Sequence, residues 1–260
     1  MPWPPLLNTP VKHETFGDRA PIVEALIEVR TATSPEAPED AMSLIVAQLK
    51  ERYPKRQNLE FNVYESWNTG DSQPEPRLAG KDHRLTLRNP DSGFAAVVRK
   101  DRISVSKLAP YLGWDMLKEE FDAVWKVFSD VLKPDRITRC GLRYINRIIL
   151  PEHPTELHDW FTFVAELPNH WPDISKFTQR IEIPLPEEMP GVILLQFSTE
   201  GIIPLGLASV MLDLDAIYIF QPDQGEKPVE EVIDMLRGYK NDVFFDCLRE
   251  RTKQLFRGGQ

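Results

Sequence analysis

The sequence predicts an α+β protein of two lobes, built mainly of antiparallel β-sheet backed by α-helices. Three observations carry that prediction. Residues 21–31, PIVEALIEVRT, alternate Val23, Ala25, Ile27 and Val29 with Glu24, Leu26, Glu28 and Arg30, the period of two that a half-buried strand requires. Residues 113–134, GWDMLKEEFDAVWKVFSDVLKP, place Trp114, Leu117, Phe121, Val124, Trp125, Phe128, Val131 and Leu132 along one helical stripe. Between them, LEFNVYESW, RLTLRN, FAAVVRK and RISVSKL are short alternating runs split by Pro, Gly and Asp turns, the pattern of an antiparallel meander. At 260 residues and 42% hydrophobic content the chain has enough apolar surface to build a core.

Taken in order, the elements begin with MPWPPLLNTP, whose prolines stiffen an arm over residues 1–20. The first lobe, 21–150, opens with the strand from Pro21 to Thr31. A helix is expected from Ser34 and Pro35 to Tyr53, with Met42, Ile45, Val46 and Leu49 at helical spacing and Pro54 as its stop. NTGDSQPEPRLAGKD reads as a mobile loop inside the meander. The aromatic-rich helix of 113–134 then packs on the sheet, and TRCGLRYINRIIL, residues 138–150, is the closing strand. The second lobe, 151–260, starts in the loose stretch EHPTELHDWFTFVAELPNHWPD and resumes strands at TQRIEIPL, VILLQFSTE and ASVMLDLDAIYIF. It ends in a helical pair, 229–237 and 243–256.

Composition narrows the functions. A net charge of -9 and a pI ≈ 5.2 oppose nucleic-acid binding, because Lys and Arg contacts to phosphate supply most of that affinity. The N-terminus has no basic stretch ahead of an apolar run, so no secretory signal is read there. The most apolar window, residues 202–220, contains Pro204, Gly206, Asp213 and Asp215, which makes it a loop and a buried strand and not a membrane span. Cys140 and Cys247 form no C-x-x-C pair and sit in apolar surroundings, as reduced core thiols of a cytoplasmic protein do. The nucleophile elbow, the P-loop and G-x-G-x-x-G are absent. His153, His158 and His170 lie near Glu152, Glu156 and Asp159, but without the spacing of a helix-borne zinc pair, and read as surface residues.

The candidate binding face comes from the closing strand, where Arg139, Arg143 and Arg147 recur every fourth residue on one side. If this strand neighbours the first, Glu24 and Glu28 face Arg143 and Arg147. One reading is a polar sheet face laced with cross-strand ion pairs, each contributing about 0.2–1 kcal/mol. The other is a second half folded over this face, with the guanidinium forks holding a carboxylate or phosphate. Asp213 and Asp215 share a strand face and are candidates for a divalent metal, but no third ligand stands nearby; no cofactor and no metal are expected. Trp67, Lys107 and Tyr111 are secondary candidates at strand and loop ends, where either recognition or rim packing places such residues.

RAPIVEALIEVR, KLAPYLGWDMLKEEF, ITRCGLRYINRI, MLDLD and FFDCLRERTKQLF together resemble a sporadically distributed bacterial family with no assigned reaction, over essentially the whole chain. The resemblance implies a cytoplasmic, single-chain α+β protein. The expected function is therefore a non-enzymatic binding or interaction protein with a protein partner, accessory or antitoxin- or immunity-like. The alternative is an enzyme or small-molecule binder with an anionic ligand on the Arg/Glu face between the lobes.

Overall fold

The computed structural model describes residues 13–34, 37–66, 76–151, 156–165, 176–186, 189–203, 207–222 and 227–258. Trp67, His153 and His170 lie outside them. Among the described residues nine strands form one antiparallel sheet, and four α-helices accompany it. The strands are β1 (Ile22–Thr31), β2 (Lys55–Ser66), β3 (Pro76–Asn89), β4 (Phe94–Arg99), β5 (Arg102–Leu108), β6 (Ile137–Leu150), β7 (Thr178–Pro184), β8 (Gly191–Ile203) and β9 (Leu207–Ile219). The helices are α1 (Ala41–Leu49), α2 (Trp114–Leu132), α3 (Val229–Cys247) and α4 (Glu250–Arg257). The fold is α+β.

The spatial order is β2-β3-β4-β5-β1-β6-β9-β8-β7, so β1 and β6 are central. The chain leaves β1 through α1, reaches one edge at β2 and returns by meander to pair β5 with β1. It then crosses through α2 to β6, on the other side of β1, reaches the opposite edge at β7 and returns through β8 to pair β9 with β6. Segments 21–150 and 151–260 thus each contribute a block of neighbouring strands, and the β6–β9 ladder joins the blocks into one sheet.

Strand alternation decides which side each residue takes. Ala25, Ile27 and Val29 of β1, Ile103 and Val105 of β5, Leu142 and Tyr144 of β6, and Leu212 and Leu214 of β9 all lie buried on one side, in one apolar cluster with the helices. α2 contributes Leu117, Phe121, Val124 and Phe128 at 0% exposure, the stripe expected from its spacing. α3 contributes Val232, Ile233 and Leu236 against β6 and β9. Cys140 and Cys247 are free, buried thiols, and burial pushes both up to about 12.

Four local expectations differ from the structure. The helix expected from Ser34 begins only at Ala41 and ends at Leu49, because Pro38 lies in the turn that precedes it and the Asp40 carbonyl accepts its first backbone bonds, from Ser43 and Leu44. The stretch read as a mobile loop gives up its second half to β3, which starts at Pro76. The break expected near Gly238 is absent: α3 runs unbroken through it, since a single glycine weakens a helix by only about 1 kcal/mol and burial of the apolar stripe outweighs that. The last helix instead begins after an extended Leu248.

Removing residues 224–260 would expose the β6 and β9 surface that Val232, Ile233, Leu236 and Phe244 cover. The shortened chain is expected to be insoluble or to melt without cooperativity, which circular dichroism and sedimentation of the 1–223 fragment would measure; a soluble, cooperatively melting fragment would show that α3 is dispensable.

Candidate functional site

Because the core takes one side of the sheet, the alternate residues of the same strands face away from the helices. Glu24, Leu26, Glu28 and Arg30 of β1 stand beside Arg139, Arg143 and Ile145 of β6 on this open side. Asp213, Asp215 and Ile217 of β9 continue it, with Asp215 directly opposite Arg143. Every arginine of the stripe is engaged there. Arg139 donates to Glu28 and has Asp215 at 3.6 Å. Arg143 forms a two-pronged pair with Asp213, Nε at 2.9 Å and Nη2 at 2.5 Å. Arg147 Nε donates to Glu200 at 2.8 Å and to the Ser209 hydroxyl at 3.3 Å, and Ser209 in turn donates to Glu200 at 2.6 Å.

The pairing of Glu24 and Glu28 with Arg143 and Arg147 is therefore corrected. Register places Leu26, not a glutamate, opposite Arg143, so Arg143 turns to β9 and Glu28 is left to Arg139. Glu24 is opposite Ile145 and acts on Arg143 only at a distance. Gly141 makes the Arg139 arrangement possible. Its backbone lies under the guanidinium, and a Cβ added there would stand 3.1 Å from Nη1. Glycine leaves a trough along β6 in which Arg139 lies back over its own strand between Glu28 and Asp215. Burial raises the Asp215 carboxyl above its ordinary value, opposed by Arg139 and Arg143. Asp213 and Asp215 thus serve as anchors for arginines; among the described residues no group of three metal-ligating side chains occurs.

The helix side holds a second cluster. Tyr144 of β6 is buried beneath α3, and its hydroxyl meets that of Tyr111 at 2.8 Å. Lys240 of α3 sits with Nζ 3.6 Å above the Tyr144 ring, and Arg237, one turn earlier, stacks on Trp114 at 4.9 Å. Among the described residues Lys240 has no hydrogen bond and no carboxylate partner, although it is only 6% exposed. Burial, reinforced by Arg237, lowers its ammonium from 10.5 to about 7. Tyr111 and Trp114 come from the turn around Gly113, whose φ of +114° only glycine adopts readily, and which brings both rings to the α3 side.

Of the secondary candidates, Tyr111 belongs to this cluster and Lys107 does not. Lys107 is buried on the core side, donates to the Leu108 carbonyl at 2.8 Å and stands over Phe94 at 5.6 Å, and burial lowers its pKa. Ala25 separates it from Tyr144 in the same row of the sheet. His158 is exposed. Sequence reasoning missed Arg237, Lys240 and Tyr144. A signal for Lys240 exists: it occupies a core position of the α3 stripe, between Leu236 and Val243, where the spacing calls for an apolar residue. Compared with known proteins, the chain matches no family model and no curated sequence.

Arg143→Met is expected to cost about 1–2 kcal/mol, between an exposed pair and a buried one, because Asp213 is only 15% exposed. Asp213→Asn should recover part of that loss and Glu28→Gln none of it, as urea unfolding of the double mutants would measure. Coupling to Glu28 in place of Asp213 would contradict the pairing.

Lys240 also sets a pH dependence. Below about 7 both folded and unfolded chains carry the proton, and the cost of the buried ammonium is fully present. As pH rises toward 10.5 the folded chain loses it first, the unfolded chain binds more protons, and stability rises. Beside Lys240 lie Arg237 and the Tyr111–Tyr144 pair, and burial raises both tyrosine hydroxyls, which keeps them neutral over this range. Between pH 7 and 9 the stability of the wild type should rise relative to Lys240→Met; a constant difference would place the amine in water.

Proposed function

We propose that the protein is a non-enzymatic interaction protein that docks a protein partner on the open face of its sheet. The observation that carries this reading is the chemistry of that face: apolar residues framed by arginines that are already fixed by carboxylates. Leu26 and Ile145 stand outside the helix-side core cluster and are only partly buried, and Leu108, Ile149 and Ile219 on the same side are 47%, 49% and 40% exposed. Apolar side chains among immobilised arginines are the composition that protein interfaces favour. Guanidinium groups held in place lose little conformational freedom on binding, so contact with a partner is less costly than with free side chains.

The partner's chemistry follows from one row. Arg99 of β4, Arg102 of β5, Arg30 of β1 and Arg139 of β6 stand directly opposite one another across four adjacent strands. Like charges opposed across strands repel. Glu28 and Asp101 hold the row together, and an acidic segment of a partner laid across it would relieve the repulsion further. The reading is thus a partner with an apolar patch bordered by carboxylates, which the same chain's overall charge of -9 would otherwise repel.

A photo-crosslinking residue placed at Leu26 or Ile145, and at Leu44 on α1 as a helix-side control, tests this in the producing cell. One discrete protein adduct is expected from the two open-face positions only, and it should be lost on Arg30→Glu with Arg102→Glu. Adducts from Leu44 alone, or open-face adducts that survive the charge reversal, would refute the reading.

A further inference from the structure

The lysine buried on the helix side is not used by an interaction surface on the opposite side of the sheet, and it needs its own explanation. An amine enclosed without a carboxylate is unfavourable in the folded state, and a methionine of similar length would fill the space without that cost. Lys240 nevertheless lies at 6% exposure against the Tyr144 ring, within the electrostatic reach of Arg237. The surroundings grade outward from this buried amine to the half-buried Tyr111, Trp114 and Arg237. A cation beside a desolvated lysine keeps the amine unprotonated and therefore nucleophilic, and a guanidinium is the group that orients a carboxylate.

We propose that Lys240, Arg237 and the Tyr111–Tyr144 pair form a capture site for small oxo acids, in which the Lys240 amine adds to the carbonyl carbon and Arg237 holds the carboxylate. The step balances without an oxidant or reductant. The Nζ lone pair forms the new C–N bond as the carbonyl π pair moves to oxygen, and a proton passes from nitrogen to that oxygen to give a carbinolamine. The hydroxyl then leaves as water, and the product is an imine. The two tyrosine hydroxyls share one hydrogen bond at 2.8 Å, which uses one of their two protons and leaves the other O–H to donate to the oxygen. Arg237 can turn to a carboxylate because, among the described residues, its guanidinium stacks on the Trp114 ring and makes no ion pair or hydrogen bond.

The test uses the full chain with pyruvate as the oxo acid and propanal as a carbonyl compound lacking the carboxylate, each trapped with cyanoborohydride at pH 7.5 and mapped by peptide mass spectrometry. An ordinary lysine is about one part in 10³ unprotonated at this pH, so Lys240 should be labelled at least ~10-fold faster than Lys126, which is 76% exposed. Arg237→Gln should slow both adducts at Lys240, because the amine loses the cation that disfavours its proton, and should lower the pyruvate adduct about 10-fold further than the propanal adduct, because only pyruvate also loses its carboxylate partner. In the wild type, acetate should slow labelling by pyruvate and not by propanal, which keeps the test informative if the Arg237 variant misfolds. Labelling of Lys240 no faster than of Lys126 would overturn the proposal, and equal effects of acetate on the two probes would overturn the role of Arg237. Neither outcome bears on the open-face interface, whose crosslinks lie on the other side of the sheet.

Discussion

The ladder between β6 and β9, twelve residue pairs from Arg139 opposite Ile219 to Leu150 opposite Ala208, is the contact on which the rest of the structure depends. Among the described residues it is the one strand pairing between the early block of strands and the late one, and it is made between residues far apart in the chain. Every side chain of β6 is committed by it. Cys140, Leu142, Tyr144, Ile148 and Leu150 turn inward beneath the helices, and Arg139, Arg143 and Arg147 turn outward. A slip of one residue would bury three guanidinium groups and expose the core row, so the register is held by the hydrophobic effect on one side and by ion pairs on the other.

That ladder also explains why the two functional candidates sit back to back. Arg143 and Tyr144 are adjacent in sequence and opposite in direction: the first pairs with Asp213 on the open side, the second lies under Lys240 on the helix side. The outward site is built from arginines paired to carboxylates. The inward one contains a buried amine that, among the described residues, has the Tyr144 ring beneath it but no hydrogen bond and no carboxylate. Paired charges suit recognition of a surface, whereas an amine without a carboxylate suits reaction or capture, so the proposed interface and the proposed capture site would lie one sheet thickness apart.

Gly141 shows how finely the outward site is fitted. In a strand interior, glycine gives up packing and chain entropy, yet here its missing Cβ lets Arg139 lie flat between Glu28 and Asp215. The neighbouring Arg143 needs no such trough, because Asp213 reaches it from β9. The same strand thus uses two ways of fixing an arginine, one by backbone shape and one by a facing carboxylate.

The sequence by itself determined the α+β class, the alternation of β1 and β6, the apolar stripe of α2 and the candidate residues on the open face, because these depend on periodicities of two and 3.6 that local chain geometry imposes. It also placed Asp213 and Asp215 on one face and marked Tyr111 as a residue of interest. Only the tertiary structure decided partners. Whether Arg143 meets Glu28 or Asp213 depends on register and on which strand lies on the far side of β6, and neither is encoded in local spacing. The continuity of α3 across 238–242, between the two helices expected from the sequence, was equally invisible locally, since it depends on the stripe that α3 buries on the sheet. Lys240 was hidden for the same reason: its charge says surface and its position in the stripe says core, and only the packing of α3 on β6 shows that position prevailed.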